Sequence, residues 1–187
     1  MPQINCQLLK GYNKNTKKIL AERITDATCS AIGAKPSLIT VSISEILPEN
    51  YMRDRSQKKP AKAPPMEDKI VLKYLKAMES RNIDLAKSFL SSEFLIKCPG
   101  GLSFSTLEDF LKWAKTRYIS VKKEIEVIDL SFRGTDTFVY CHGTLNGKWL
   151  DNTNFFNIRF IDKFLIRESK IVTQEIWNDL NLNKNLK

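Results

Sequence analysis

Pro2-Gln3-Ile4-Asn5-Cys6-Gln7-Leu8-Leu9-Lys10-Gly11 alternates polar and apolar residues and closes on a glycine. A period of two is that of a short strand with one covered face, ended here by a turn. The first residue of the stretch carries a second meaning. Once Met1 is removed, Pro2 has a free secondary amine, and such an N-terminal nitrogen takes a proton near pH ~8 in peptides, lower when buried or beside cations. Pro2 is therefore a candidate general base matched to neutral pH. From Thr16 to Ile32 the apolar residues Leu20, Ile24, Ala27 and Ala31 recur at helical spacing. Asn13 or Asn15 can cap the start, and Gly33 sits where a left-handed C-cap belongs. Ile39 to Glu45 alternates again, which completes a β-α-β unit with parallel strands. One face of that pair carries Gln3, Asn5, Gln7, Thr40, Ser42 and Ser44.

The unit resembles the 4-oxalocrotonate tautomerase family. The matching residues are Pro2, Gly11, the Lys17-Lys18 helix start, the Gly33-Ala34-Lys35-Pro36 turn, the Val41-to-Glu45 strand and the Pro48-Glu49-Asn50-Tyr51 corner, over residues 2 to 53. The resemblance implies enolisation, in which the Pro2 amine takes a proton from a carbon next to a carbonyl and returns it at another carbon, with no cofactor and no metal. Members that act on dicarboxylates hold them with an arginine just after the first-strand glycine and another in the second strand. Those positions are Tyr12 and Thr40 here, and neither forms the charged bidentate clamp of a guanidinium. Tyr12 and Thr40 are thus candidate substrate-binding residues of another character. Tyr51 is a candidate pocket wall or proton donor, or else a staple of the corner. The resemblance also implies copies gathered about a three-fold axis, each completing its neighbour's site.

Residues 53 to 65 have no apolar period, three prolines and five cations, so they read as exposed chain. The expected organisation is a module at 1–53, a basic Pro-rich linker at 54–66 and a second domain at 67–187. Each part contributes +3 to the net charge of +9. Only the linker is dense in charge, whereas a nucleic-acid reader concentrates its charge in a patch with aromatic or groove-reading elements beside it, so no nucleic-acid partner is expected. A small-molecule substrate or ligand is.

In the second part Ile70, Val71, Tyr74, Leu75 and Met78 mark an amphipathic helix, Ile83 to Leu90 a second, and Ser91 to Cys98 a strand ended by Pro99-Gly100-Gly101. Ser105 with Glu108 has capping-box spacing before a helix through Phe110, Leu111 and Ala114. Four β-rich runs follow at 120–132, 136–147, 154–166 and 170–178. Helices followed by an antiparallel meander make an α+β domain. This order resembles the nuclear-transport-factor-2-like superfamily, whose curved sheet wraps helices into a cone with an open pocket, and which includes SnoaL-type polyketide cyclases and ketosteroid isomerases. Its landmarks are Lys73 to Met78, Cys98 to Gly101, and Lys170 to Val172 through Trp177-Asn178-Asp179. Carried over residue by residue, the oxyanion-binding tyrosine of the isomerases falls on Tyr74, their general-base aspartate on Cys98, and their second carboxylic acid near Phe156 and Asn157. The candidate pocket residues of the cone are Tyr74, Cys98, Trp113, Tyr140, His142 and Trp177, with Trp149 a further aromatic of the same kind.

Only one histidine, and cysteines at 6, 29, 98 and 141 without a Cys-x-x-Cys pair, leave no zinc signature. No apolar run approaches the ~20 residues of a membrane span, and no leader is read ahead of the first strand, so no membrane partner and a cytoplasmic location are expected. No nucleotide-binding glycine loop occurs. Two functions stand side by side: a tautomerase with Pro2 as base, and a non-catalytic protein whose first module serves to oligomerise and whose cone holds a small hydrophobic ligand, or else a polyketide-cyclase-like activity in the cone. Unpaired edges and a bare polar face predict a homo-oligomer, a hexamer in the first instance and a dimer otherwise.

Overall fold

The computed structural model describes residues 1–181, and they form two compact units that divide between Pro64 and Pro65. Residues 182–187 of the expected second domain lie outside the described residues.

The first unit consists of β1 (Gln3–Leu9), α1 (Lys14–Ile32) and β2 (Thr40–Ile46), followed by a small hairpin. Asn13 caps α1, its side chain accepting from the Thr16 N–H at 2.8 Å, and Gly33 closes the helix at φ 69. The two strands are parallel, paired from Gln3↔Thr40 to Leu9↔Ile46. Their period of two turns Ile4, Cys6, Leu8, Val41 and Ile43 to the half-buried side and leaves Gln3, Asn5, Gln7, Thr40, Ser42 and Ser44 exposed. Lys17 Nζ meets the Glu45 carboxylate at 2.9 Å and ties the helix start to the strand end. One helix covers one face of a two-stranded sheet, and no residue from Met1 to Pro64 reaches full burial. The expected linker at 54–66 is partly structured: β3 (Met52–Arg53) and β4 (Ser56–Gln57) pair antiparallel around Asp54 and Arg55. Those turn residues have φ 52 and 53, the paired left-handed geometry of a tight hairpin. Asp-Arg lacks the glycine that ordinarily announces such a turn, so the composition alone reads as loop.

The second unit runs α2 (Glu67–Glu79), α3 (Ile83–Ser88), β5 (Leu90–Lys97), β6 (Ser103–Phe104), α4 (Leu107–Ala114), β7 (Tyr118–Arg133), β8 (Asp136–Trp149), β9 (Asn154–Arg167) and β10 (Lys170–Asn178). Its sheet has the order β6-β5-β10-β9-β8-β7. β7 through β10 form the antiparallel meander read from the sequence, and β5 joins β10 in parallel. Two local expectations shift. The second helix stops at Ser88 because the chain is already extended at Leu90. The cap of α4 is Thr106, whose hydroxyl oxygen accepts from the Asp109 N–H at 3.2 Å and whose proton goes to the Asp109 carboxylate at 2.7 Å. Ser105 and Glu108 sit one residue early, and Glu108 pairs with Lys87 instead.

Strands of 14 to 16 residues bend only where their ladders are interrupted. Register shifts fall within β7 at Ile125/Val127, within β8 at Leu145/Gly147 and within β10 at Ile171/Thr173. At the first of these the backbone of β7 closes onto Gly143, where a Cβ would stand 2.0 Å from the Glu124 carbonyl oxygen. The concave face then packs on α2: Val71 and Phe164 are fully buried, and the Tyr74 ring meets Phe164 edge-on at 6.0 Å. Burial of each such side chain contributes about 1.5–3 kcal/mol.

Candidate functional site

Pro2 stands at the start of β1, half-buried, and its carbonyl accepts from the Thr40 N–H at 3.1 Å, so Pro2 and Thr40 are neighbours. Tyr12 follows the end of β1 and Tyr51 follows the end of β2. Because the strands are parallel, both tyrosines lie at the opposite end of the ladder from Pro2. Seven steps of ~3.3 Å from Pro2 to Leu9 make the ladder roughly 23 Å long. A single copy therefore brings Pro2 and Thr40 together and keeps Tyr12 and Tyr51 away from them. The Tyr51 hydroxyl accepts from the Arg53 guanidinium at 2.8 Å and 3.1 Å, a cation that the sequence reading had not attached to this corner.

In the second unit a cavity of about 400 Å³ opens between the helices and the concave sheet. Leu75, Phe110, Trp113, Ile125 and Phe160 give it an apolar wall. Tyr74, Cys98, Lys123, Asp162 and Gln174 meet in its polar part, and Arg81 and Arg117 stand at its more exposed rim. The Arg117 guanidinium lies 4.8 Å over the Trp113 ring. Of the six pocket residues expected here, Tyr74, Cys98 and Trp113 line this cavity. Tyr140, His142 and Trp177 do not: they alternate with buried Val139, Cys141 and Gln174-side positions and face the outer surface, where Trp177 is 50 % exposed. Trp149 is also elsewhere, packed on Phe155 at 4.5 Å in a separate apolar cluster.

Inside the cavity a chain of hydrogen bonds has a defined direction. The Tyr74 hydroxyl donates to Gln174 Oε1 at 2.8 Å, and Gln174 Nε2 donates to Asp162 Oδ2 at 2.9 Å. The Lys123 ammonium pairs with the same carboxylate oxygen. Since the carboxylate accepts only, it fixes which way the Gln174 amide points. Burial, then the negative charges of Asp162 and Cys98, hold the Tyr74 hydroxyl well above the ordinary tyrosine range. Burial pushes the Cys98 thiol up to about 11, with Arg117 opposing, so Cys98 is a poor stand-in for a carboxylate base. Asp162 is the acid that the sequence reading missed. Phe156 is 64 % exposed and Asn157 adopts φ 57, so neither faces the cavity. Its signal was present in Phe160-Ile161-Asp162-Lys163-Phe164, where a period of two puts Asp162 on the same face as two buried phenylalanines.

Among the described residues no helix is long and apolar enough to cross a membrane, and no group of three or more His, Cys, Asp or Glu side chains is arranged to hold a metal. Residues 2–59 match a family model described as Tautomerase enzyme. Solved structures similar to the chain include TerC co-crystallised with polyporic acid, with 15% sequence identity and a TM-score of 0.53, covering 64% of this chain and 96% of that one. An NTF2-like protein of unknown function from Burkholderia pseudomallei is similar at 12% identity and a TM-score of 0.53, covering 64% and 95%. An NTF2-like protein from Burkholderia thailandensis is similar at 12% and 0.50, with the same coverage. At these identities the likeness is one of fold. The chain thus joins a tautomerase-family domain, at residues 2–59, to a second unit with the fold of the NTF2-like proteins.

Proposed function

We propose that this chain is an isomerase that moves a proton between carbon positions of an enol or keto acid, with the Pro2 amine as its base. The observation that carries the reading is the tautomerase family match, which starts at Pro2. With Met1 removed, the Pro2 nitrogen takes the proton from the carbon beside the substrate carbonyl. The C–H electrons form the new C=C bond, the carbonyl oxygen gains the negative charge, and the proton returns from the ammonium at the second carbon. Tyr12 and Thr40, in place of arginines, favour monocarboxylate or neutral enols. Arg53, held on the Tyr51 hydroxyl, is the candidate cation for the developing enolate. Four free cysteines fit a reducing compartment such as the cytoplasm.

The reading includes assembly. The full absence of buried residues over 1–64, and the separation of Tyr12 and Tyr51 from Pro2 along the ladder, support a site completed by a second copy. The outer sheet face of the second unit supplies a further contact: Val127, His142, Ile161 and Trp177 stand in one row across four strands. Beside it runs the row Asp129, Tyr140, Lys163, Glu175 and Lys97, whose alternating signs suit a two-fold partner of the same chain. Intact mass tests the amine directly: loss of Met1 is expected, and a retained Met1, which makes Pro2 an amide, overturns the mechanism.

A second reading belongs to the cone, in which the cavity holds a small apolar ligand. Its apolar wall with a few convergent polar groups supports this, as does the co-crystallisation of TerC, a protein of this fold, with polyporic acid.

A further inference from the structure

Asp162 is fully buried, yet only one of its carboxylate oxygens is bonded. Oδ2 takes the Gln174 amide and the Lys123 ammonium. Oδ1, just as buried, has no hydrogen-bond partner among the described residues. A buried charged acceptor without a donor is costly, and folded proteins keep few of them. Asp162 is among the residues that line the cavity, and Oδ1 itself has no exposed surface, so a ligand donor reaches it as the carboxylate turns toward the cavity.

The neighbours decide which ligand group fits. Tyr74 spends its single hydroxyl proton on Gln174 and has none to offer. Gln174 cannot turn over, because its nitrogen must face the carboxylate. A ligand carbonyl would leave Oδ1 as it is; a hydroxyl supplies the proton, and its oxygen remains open to Lys123. The wall beyond is apolar and aromatic. At the rim Lys76, Arg81 and Arg117 outnumber the single carboxylate of Glu79, and a guanidinium is the group that best meets a carboxylate.

We propose that the cavity binds a cyclic apolar compound bearing a hydroxyl and a carboxylate, the hydroxyl donating to Asp162 Oδ1 and the carboxylate meeting Arg117. The proposal rests on the second reading above, that the cavity holds a small apolar ligand. The test titrates 6-hydroxy-2-naphthoate, 6-methoxy-2-naphthoate and 2-naphthol into the full chain by calorimetry. The hydroxy acid should bind about tenfold or more tightly than its methyl ether, since a bond to a charged acceptor is at stake. In Asp162→Asn the amide oxygen must face the two donors, Lys123 and Gln174, so the NH₂ takes the place of Oδ1. The preference should then vanish or reverse. Arg117→Met should weaken both acids and leave 2-naphthol unchanged, and Ala114→Trp, which fills the cavity, should abolish all binding. Equal affinity of hydroxy and methoxy acids for the wild type, or a preference that survives Asp162→Asn, overturns the assignment and leaves the ligand cavity standing. Failure of every naphthalene to bind overturns both. If Asp162→Asn does not fold, the wild-type preference decides.

Discussion

Removing one hydroxyl from the cavity tests whether its hydrogen-bond chain is made as described. Tyr74→Phe keeps the ring against Phe164 and deletes only the proton given to Gln174 Oε1 at 2.8 Å. Gln174 is 3 % exposed, so its carbonyl oxygen is left buried without a donor, a loss of about 1–3 kcal/mol. For a unit of roughly 120 residues the unfolding entropy near the midpoint is ~0.25 kcal/mol/K. The expected fall in Tm is therefore about 4–12 °C, read by circular dichroism or calorimetry on the transition of the second unit. Gln174→Leu should be destabilising as well, because it strands the Tyr74 hydroxyl and removes one donor to Asp162. The double variant should cost less than the sum of the two by about 1 kcal/mol, since both ends of one bond are then gone. A Tyr74→Phe protein as stable as the wild type, or strict additivity in the cycle, refutes the network.

Further outcomes follow from the same chemistry. Burial raises the Cys98 thiol from 9.0 to about 11 and the Cys141 thiol from 9.0 to about 12. Groups whose folded pKa is raised contribute stability that is whole below pH 9 and is lost as pH climbs through the folded values. A Cys98→Ala/Cys141→Ala variant should accordingly lose less stability between pH 8.5 and 10.5 than the wild type, and iodoacetamide should label the fully buried Cys141 only in unfolded chain; equal pH slopes or ready labelling of Cys141 in the native state contradicts this. Trp177→Lys should weaken association through the outer face, seen by light scattering as a smaller assembly, whereas an unchanged mass removes that face from the interface. With Tyr12 and Thr40 where arginines would clamp a dicarboxylate, each missing charged hydrogen bond forgoes about 1.5–3 kcal/mol, so dicarboxylate dienols should turn over more slowly than monocarboxylate enols. A strong dicarboxylate preference in steady-state kinetics would point to other cations.

The β-α-β unit was legible because three independent signals agree: alternation in both strands, Asn13 at the start of the helix and Gly33 at its end. The meander was legible from long runs broken by turn residues. Which face of a strand points inward was harder. In β8 both Tyr140-His142-Thr144 and Val139-Cys141-Gly143 suit a wall, and only the packing of α2 decides that the second set is buried. In β9, alternation counted from buried Phe155 would carry Ile161 inward. The positive φ at Asn157 resets the count, so Ile158, Phe160, Asp162 and Phe164 face the core. The irregularity breaks the count from Phe155, while the local period through Phe160, Asp162 and Phe164 survives it; the acid was missed because the isomerase resemblance puts it near Phe156 and Asn157 instead. The surroundings of Pro2 were legible only in part for another reason: the candidate residues Tyr12 and Tyr51 lie at the far end of the ladder, a separation that sequence order does not measure.

The most direct test of the central claim is the rate at which the enol of phenylpyruvate is converted to the keto form. It should be measured for the chain with Met1 removed, for Pro2→Ala, and for a chain extended at its N-terminus so that Pro2 is an amide. The extended chain should be slower by about 10²-fold or more, Pro2→Ala should also be impaired, and all three should unfold at the same temperature. Equal rates for the free and the extended N-terminus would contradict it.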